Sequence, residues 1–449
     1  MAGLLAGAAP ASAHGGVVGA DLRIAASLGD RELTVVIRRV GQVPGPLRVD
    51  VVNHAESPGG VLRIGAAPWG GAPAGNETDV RLTDGGGFAG GVLQVDRAGS
   101  WELSVADGRE TARLPFVVPQ DVMAPWEWTV SGGYTAAGTL LLAALAAAAF
   151  GRRAWPPTAL GAGAVAAVVV ATTAALLSAG IPEPETDPLT GLPGPARPVA
   201  APVAPPHVNL LASAELTAGR RGPVDLRLVD GATGRPADDL VVHHDALLHL
   251  MVLGPGGQFA HVHPVRLGPG HYRVWLTPAA GGTHRLFAEI ERRGGGVQVV
   301  SAAVAASGPA VAGVDSGAPG PGDRILADGT AAHVQATGLV AGEPTVLGIE
   351  LSRDGRPVRD LQPWLGMAGH LVTTGPDGGV GHVHALPVGA MGSGNAPDES
   401  VATGGPRVEF VYTFATPGRH RLWFQVERDY RVLTVPVDVD VAAGPEAGS

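Results

Sequence analysis

Short runs of alternating apolar and polar residues cover the chain from residue 14 to about residue 120. Leu22-Arg23-Ile24 and Trp101-Glu102-Leu103-Ser104-Val105 are two of these runs, and clusters of Gly, Pro, Asn and Asp separate them. A period of two places every second side chain on the same face of a strand. The pattern predicts an antiparallel β-sandwich over residues 14–120.

Two apolar stretches without a charged residue follow, at about 128–150 and 157–180. Each is long enough to span a bilayer, which takes about 20 apolar residues. The turn between them carries Arg152 and Arg153, which the positive-inside rule places in the cytoplasm. We therefore predict a two-helix transmembrane hairpin with both flanks on the extracytoplasmic side of the cell membrane. A buried helical hairpin in a soluble protein is the alternative.

The first thirteen residues resemble the tail of a secretory signal peptide. A short apolar run leads to Ala11-Ser12-Ala13, a small-x-small cleavage pattern. The positively charged start of a signal peptide is missing, so either the true start lies upstream or the signal is weak. Cleavage after Ala13 would leave His14 at the N-terminus, where its α-amine and ring nitrogen could chelate a metal ion.

Alternating runs resume after the membrane hairpin. A proline-rich segment at 181–206 predicts a stiff, extended spacer. Two further sandwiches are predicted at 207–306 and 323–442, with a Gly/Pro linker between them and a mobile loop at about 388–406. The expected fold class is therefore all-β, with three immunoglobulin-like β-sandwich domains, and the linkers predict that these domains are independent of one another.

Eight of the fifteen histidines fall into two matched sets. Each of three histidines in the first C-terminal sandwich has a counterpart 121 positions later, and a fourth recurs after a length change. The first set is His249, His261, His263 and His284, and the second is His370, His382, His384 and His420. Such a repeat indicates duplicated domains, each with the same candidate site.

The spacing of these histidines fits a β-hairpin. In each His-x-His pair the two side chains project from one face of a strand. A three-residue turn centred on Pro255 would set His249 directly opposite His261, and a one-residue slip would turn His249 to the other face. Phe259 and Val380 share the face of the His-x-His pairs, so we expect that face to be partly buried.

Three imidazoles on adjacent strands can hold a divalent metal ion, and His284 or His420 could complete the ligand set or orient the other ligands. A site of nitrogen ligands favours copper(II) or zinc, and we prefer copper(II). Met251 and Met367 lie near the first histidines and could add a soft ligand. The alternative is a cluster of hydrogen-bonded core histidines, because duplication copies structural residues as faithfully as functional ones.

Composition excludes several other functions. The net charge of −10 and the lack of a basic stripe argue against a nucleic-acid partner, and the absence of cysteine excludes disulfides and thiolate sites. We find no Ser-His-Asp order, no paired-carboxylate cleft and no phosphate-binding glycine loop, so we do not expect an enzyme. Asp239 and Asp360 recur, but upstream of the histidines, where a role in a turn or a strand entry is expected. The unrepeated histidines, including His54, His243 and His244, are interpreted as packing or surface residues.

Two family resemblances accompany this pattern. The N-terminal part, with Ala11-Ser12-Ala13 before His14-Gly15-Gly16 and a sandwich ahead of a membrane span, resembles the YtkA-like and CopC-like extracytoplasmic domains of bacteria. CopC-type domains bind copper through a mature N-terminal histidine, so the resemblance implies that His14 is a copper ligand. The C-terminal repeats resemble secreted, histidine-rich domains of high-GC actinobacteria, which are mostly uncharacterised.

The expected function is that of a membrane-anchored extracytoplasmic protein that binds or handles a transition metal through its duplicated histidine clusters. A structural or interaction module of the cell envelope, with no metal, is the alternative. The sequence does not identify a protein partner.

Overall fold

The computed structural model describes residues 21–119, 125–150, 155–178, 207–310, 317–385 and 404–444. It confirms the predicted fold class, because the described chain is mostly β-strand in several sheets, with two long apolar helices. His14, the signal-like segment, the proline-rich spacer and most of the 388–406 insertion lie outside the described residues.

The N-terminal sandwich contains two sheets. Its strands are β1 (Leu22–Leu28), β2 (Arg31–Ile37), β3 (Gly45–Asn53), β4 (Gly60–Pro68), β5 (Glu77–Leu82), β6 (Gly87–Val95), β7 (Gly99–Ala106) and β8 (Thr111–Val118). One sheet has the order β1-β2-β3-β6 and the other β5-β4-β7-β8. Along β3, Leu47, Val49 and Val51 are buried, as the period of two predicts. Glycine at position 91 lets the sheets approach, since a Cβ there would lie 3.0 Å from Cδ1 of Ile64.

The two apolar segments form helices α1 (Pro125–Phe150) and α2 (Trp155–Ser178). They pack against each other where an added Cβ on Gly133 would lie 2.8 Å from the Cβ of Ala171. Trp128–Ala149 and Pro157–Leu177 are long and apolar enough to cross a membrane, with mean hydropathies of 1.4 and 2.1. The helices belong to one compact unit, and most of the sandwich residues belong to another.

The first C-terminal sandwich, repeat 1, again has two sheets. Its strands are β9 (Val208–Ala214), β10 (Leu216–Thr217), β11 (Gly222–Asp230), β12 (Leu240–Val241), β13 (His249–Leu253), β14 (Phe259–Val262), β15 (Val265–Gly268), β16 (His271–Leu276), β17 (Gly282–Arg292) and β18 (Gly296–Ser307). The sheets have the orders β10-β18-β17-β13-β14, with β12 also on β17, and β15-β16-β11-β9. Val224 and Val274 from one sheet meet Leu250 and Leu286 from the other in the core.

The second C-terminal sandwich, repeat 2, is built in a similar way. Its strands are β19 (Gly322–Ile325), β20 (Ala331–Gln335), β21 (Pro344–Arg353), β22 (Arg356–Pro357), β23 (Leu361–Gln362), β24 (His370–Thr374), β25 (Val380–His384), β26 (Arg407–Thr413), β27 (Gly418–Arg428) and β28 (Arg431–Val441). One sheet contains β19-β20-β21-β22 with β26 on β21, and the other β23-β27-β24-β25 with β28 on β27. Leu347 and Ile349 pack across the sandwich against Leu422 and Phe424.

The two repeats pack against each other, which differs from the independence expected from the linkers. Met251 and Phe287 of repeat 1 form a buried apolar cluster with Val372 and Trp423 of repeat 2. These side chains lie on the sheet faces turned away from each sandwich core, because they alternate with core residues along their strands. Both sheets bury apolar residues on two faces, and the outer faces are buried against each other.

The N-terminal sandwich also contacts the repeats. The Ala25 backbone N–H donates to the Asp245 carbonyl at 2.7 Å, and the Ser27 N–H donates to the His263 carbonyl at 2.8 Å. Ala25 packs with Trp364 and Ala246 in a small apolar cluster. Strand β1 therefore lies beside both repeats, at the edge where their histidines are found.

Candidate metal centre

Three histidines of each matched set lie on the outer face of their hairpin. In repeat 1, β13 pairs with β14 so that Met251 is opposite His261, and in repeat 2 His370 is opposite His384. The predicted opposition of His249 and His261 is therefore wrong by two residues. The loop at 254–258 has five residues rather than three, since Leu253 pairs with Phe259. A shift of two leaves every side chain on its predicted face, so the three histidines still share one surface.

The packing of the repeats joins the two histidine sets into a single cluster. Within repeat 1, the ring centroids of His249 and His261 are 5.4 Å apart, and within repeat 2 those of His370 and His382 are 5.3 Å apart. Between the repeats, His382 lies 5.0 Å from His249 and 4.9 Å from His261. The six-histidine cluster consists of His249, His261, His263, His370, His382 and His384. It is one centre rather than the two separate sites expected from the sequence.

Backbone carbonyls fix the tautomers of the first histidine in each repeat. Nε2–H of His249 donates to the carbonyl of His243 at 3.0 Å, and Nε2–H of His370 donates to the carbonyl of Trp364 at 3.0 Å. A carbonyl oxygen can only accept, so the proton of each neutral ring is on Nε2. Nδ1 of both rings is then an unprotonated nitrogen that points into the cluster.

The second histidine of each repeat is oriented by a residue from the other repeat. Nδ1–H of His261 donates to Oε1 of Gln425 at 3.0 Å, and Nδ1–H of His382 donates to Oε1 of Glu289 at 3.3 Å. The amide of Gln425 is itself oriented, because its Nε2 donates to Thr434 Oγ1 at 3.1 Å. With their protons on Nδ1, both rings turn an unprotonated Nε2 into the cluster.

The inner nitrogens of each pair therefore face each other as two lone pairs. Nδ1 of His249 is 3.2 Å from Nε2 of His261, and Nδ1 of His370 is 3.1 Å from Nε2 of His382. Two acceptors at this distance repel unless a cation lies between them. Two nitrogens bound to one tetrahedral ion at about 2.0–2.1 Å would be about 3.3 Å apart. The observed separations fit that arrangement closely.

Burial disfavours a proton as the cation between these rings. Burial lowers the pKa of His261 and of His263 to about 3, with smaller contributions from His263 to the first and from His54 to the second. The pKa values of His249, His370 and His382 are lowered well below their ordinary range by the same burial and by their histidine neighbours. At neutral pH the rings are neutral, and neutral imidazole is the form that binds metals.

The third histidine of each repeat contributes a further buried nitrogen. Nδ1–H of His263 donates to Oε1 of Glu32 in the N-terminal sandwich at 2.6 Å. Nε2 of His263 and Nε2 of His384 are both buried without a hydrogen-bond partner among the described residues. Orphaned buried nitrogens are costly, and an ion is one way of satisfying them.

The candidate ligand sets only partly match the predicted trios. His370, His382 and His384 offer ligand atoms that all lie within 4.8 Å of one another, as expected for repeat 2. In repeat 1, His249 and His261 form such a group with His382 of the other repeat, and His263 is not part of it. His382 thus belongs to two groups, which the sequence could not show.

The fourth predicted ligands lie elsewhere. His284 alternates with Phe287 and Glu289 along β17 and therefore faces the sandwich interior, where its Nε2 contacts Gln258 Oε1 at 3.3 Å. Nε2–H of His420 donates to the Thr416 carbonyl at 2.8 Å, and its ring packs on Phe414. Neither joins the six-histidine cluster, because each occupies the opposite face of its strand.

Sequence reasoning missed several residues beside the cluster. The sequence does not associate His243 and His244 with the site, since Trp364 and Leu365 occupy their positions in repeat 2, yet both lie next to the cluster. Glu289 was missed because it recurs as Gln425. Carboxylates do recur near the site, since Glu291 and Glu427 are separated by 136 positions, the same spacing as His284 and His420. Aligning the strands of these histidines would have found them.

Other unassigned residues have structural partners. His54 lies between Thr34 and Glu427, with its Nδ1 2.6 Å from the Glu427 carboxylate. Although burial opposes the charged form, Glu427 raises the pKa of His54. Asp239 and Asp360 form ion pairs with Arg292 and Arg428, consistent with the structural role expected for them.

Residues 206–308 and 325–443 match a family model described as a domain of unknown function, DUF8832. No curated protein matches the chain. Among solved structures, the fibronectin(III)-like modules of Clostridium thermocellum CbhA are 13% identical, covering 54% of this chain and 98% of theirs, with a TM-score of 0.16. A two-domain fibronectin type III segment of chicken tenascin is 12% identical. The match covers 53% of this chain and 99% of the segment, with a TM-score of 0.15. Escherichia coli α-2-macroglobulin is 10% identical, covering 97% of this chain and 24% of its own, with a TM-score of 0.18.

Proposed function

We propose that this protein binds a divalent transition-metal ion, copper(II) or zinc, through the six-histidine cluster between its repeats. The observation that carries the proposal is the facing pair of unprotonated nitrogens in each repeat, at 3.2 Å and 3.1 Å. Each ring has its other nitrogen bonded to a carbonyl, amide or carboxylate oxygen. That outer bonding orients metal-binding histidines in many proteins.

The ligand set supports copper(II) or zinc over other ions. Imidazole nitrogen suits both, while calcium and magnesium require oxygen ligands. Met251 packs in the apolar cluster with Phe287, Val372 and Trp423, which argues against it as a soft ligand for copper(I). We prefer copper(II) of the two, and its paramagnetism provides a direct spectroscopic test.

The alternative of a metal-free, hydrogen-bonded cluster is less consistent with the tautomers. A hydrogen bond between His249 and His261 needs a proton on one inner nitrogen, and the two outer acceptors already hold both protons of the neutral rings. The same holds for His370 and His382. A metal-free cluster would have to lose one outer hydrogen bond in each repeat or keep a buried imidazolium.

We also propose that the protein handles the ion rather than catalysing a reaction on a substrate. His249 and His370 are 1% and 0% exposed, so an ion held there has little access to a bulky molecule. This burial suits storage, sensing or stabilisation of the interface between the repeats.

The test is metal titration of the full chain, purified in detergent, with copper(II) and separately with zinc. We expect binding at micromolar concentration or tighter, a nitrogen-rich copper(II) signal in electron paramagnetic resonance, and strong weakening in His382→Ala. His333→Ala is the matched control, because His333 is 49% exposed and pairs with Asp323 instead. Wild-type protein that binds neither ion at micromolar concentration would refute the metal function.

For the helices, we propose a transmembrane hairpin that anchors the sandwiches on the extracytoplasmic side. The spans Trp128–Ala149 and Pro157–Leu177 support membrane association, and Arg152 and Arg153 in the connecting segment support a cytoplasmic turn. A reporter fused after Ser449 should behave as exported. Cytoplasmic activity of that reporter would contradict the hairpin topology.

A further inference from the structure

A tight turn precedes the first cluster histidine in both repeats. In repeat 1, His243 and Ala246 exchange backbone hydrogen bonds of 2.8 and 3.1 Å, and in repeat 2 Trp364 and Met367 do so at 3.0 and 3.1 Å. Next in each turn is a residue with positive φ, +49° at His244 and +54° at Leu365. The backbone of this turn is therefore the same in both repeats, and it has either histidine or leucine at the position of positive φ.

The side chains on this shared backbone differ in one consistent way. Repeat 1 has His243, His244 and Glu289, all of which can bind a metal ion. The counterparts in repeat 2 are Trp364, Leu365 and Gln425, which lack an imidazole or a carboxylate. Since the backbone is retained without these groups, the turn does not need them in order to fold.

In repeat 1 these three groups converge. Their ligand atoms all lie within 4.8 Å of one another, and His243 and Glu289 are buried. Nδ1 of His243 lies 2.8 Å from Oε2 of Glu291, and that oxygen is buried without a hydrogen-bond partner among the described residues. Nε2 of His243 lies 3.7 Å from Oε1 of Glu289.

His244 adds a second imidazole to this arrangement. Its Nδ1 is buried with no hydrogen-bond partner among the described residues. Its ring is packed between those of His243 and His384, with centroids 3.6 Å from each. Nδ1 of His244 and Oε2 of Glu291 are thus two buried polar atoms without a hydrogen-bond partner among the described residues, which is unfavourable unless an ion or another group satisfies them.

The geometry points to a second metal position, formed by His243, His244 and Glu289 and confined to repeat 1. Two imidazoles and one carboxylate are a common ligand set for zinc, with a coordination position left for water or another ligand. Glu291, with its Oε2 2.8 Å from Nδ1 of His243, places a second carboxylate beside this position. The position would take a divalent ion such as zinc, and its carboxylate makes it chemically distinct from the all-imidazole cluster.

This inference rests on the proposed function, because the two positions share Glu289. Its Oε1 accepts from Nδ1–H of His382 at 3.3 Å, and His382 belongs to the six-histidine cluster. A carboxylate that binds one ion while orienting a ligand of the next brings negative charge to both. The duplicated chain would then hold two inequivalent ions at the junction of its repeats.

The test compares the zinc stoichiometry of the wild-type full chain with two variants that copy repeat 2. His244→Leu introduces the residue found at position 365, on a backbone that already accommodates leucine. Glu289→Gln introduces the residue found at position 425, where glutamine accepts the same hydrogen bond from His261 at 3.0 Å. Glutamine can thus keep His382 oriented while removing the anionic ligand. Calorimetry and metal analysis after desalting give the stoichiometry, and circular dichroism checks folding.

We expect each variant to bind one zinc ion fewer than wild type, while His333→Ala binds the full number. Wild-type stoichiometry in folded Glu289→Gln would overturn the inference, because the proposed ligand Glu289 would not be needed. That result would leave the proposed function standing. Loss of all zinc from folded Glu289→Gln would also overturn the inference, because the positions would not be separate. If His244→Leu fails to fold, Glu289→Gln decides alone. Wild-type protein that binds no zinc or copper(II) would refute both proposals.

Discussion

The two repeats share a backbone but differ in how many groups they offer to a metal ion. Repeat 1 presents five histidines near the junction and repeat 2 three, because His243 and His244 are replaced by Trp364 and Leu365. The features common to both repeats are the same-face histidines and the carbonyl bonded to the first of them. The comparison separates what the hairpin needs from what was added in one copy. It also gives every substitution an internal reference.

The largest difference in stability between the repeats should come from a duplicated ion pair. Arg292 is buried between Asp230 and Asp239, while Arg428 pairs with the half-exposed Asp360. Removing one partner of a buried pair costs about 3–5 kcal/mol, and of an exposed pair about 1 kcal/mol or less. Urea unfolding should therefore show a much larger loss for Arg292→Ala than for Arg428→Ala. Equal losses of unfolding free energy in the two variants would mean that the burial of Arg292 does not set the strength of its ion pairs.

The next largest effect should separate His382 from its counterpart His261. His382 belongs to two candidate ligand groups and His261 to one. We expect His382→Ala to weaken copper(II) binding more than 100-fold. This loss is larger than the one seen when only an orienting residue is removed, and it should also be larger than the loss caused by His261→Ala. Competition titration against a chelator of known affinity measures both. Identical effects would indicate two equivalent sites, as the sequence alone predicted.

Acid should distinguish wild type from His244→Leu in chelator. Burial, with smaller contributions from His243 and His249, lowers the pKa of His244 to about 3, whereas the unfolded value is about 6.5. Below pH 6.5, His244 stays neutral in the folded state but gains a proton in the unfolded state. The free energy of unfolding is therefore full above pH 6.5 and decreases as the pH falls. Leucine cannot titrate. Between pH 6.5 and 5 the wild type should lose about 2 kcal/mol more than the variant in urea unfolding. Parallel pH profiles would place His244 in solvent.

The smallest effect should come from the N-terminal sandwich. Glu32 accepts from His263 at 2.6 Å, and no carboxylate among the described residues is seen to hydrogen-bond His384 in the same way. Glu32→Gln should lower metal affinity about 10-fold through weaker orientation of His263. Glu56→Gln is a suitable control, because Glu56 is 77% exposed. An unchanged affinity in Glu32→Gln would remove the N-terminal sandwich from the metal centre.

Much of the fold and part of the site could be predicted from local patterns. A period of two was enough to place His249, His261 and His263 on one face, and it remained correct when the register shifted by two. The register itself depended on whether the loop at Gly254 held three or five residues. The same period of two places His284 and Glu289 on opposite faces of their strand. Comparing those faces would have excluded His284 from the cluster.

The convergence of the histidines depends on contacts between domains, which no local pattern contains. The apolar residues Phe259 and Val380 did indicate that the outer faces are buried, but not which surface covers them. His243 and His244 were overlooked for another reason. Searching for recurrence discards the positions at which two copies have diverged, and those positions carry the second proposed metal position.

Across the junction, His261 hydrogen-bonds Gln425 and His382 hydrogen-bonds Glu289. Because these are counterpart residues, the contact resembles an isologous interface, in which both partners use the same surface, but within one polypeptide. Two separate copies of a single repeat could associate through the same contacts as a symmetric homodimer. In such a dimer every residue would appear twice, so a carboxylate could not occur on one side and an amide on the other. Covalent linkage of the copies removes that constraint. It allows a symmetric contact surface to evolve into an asymmetric one.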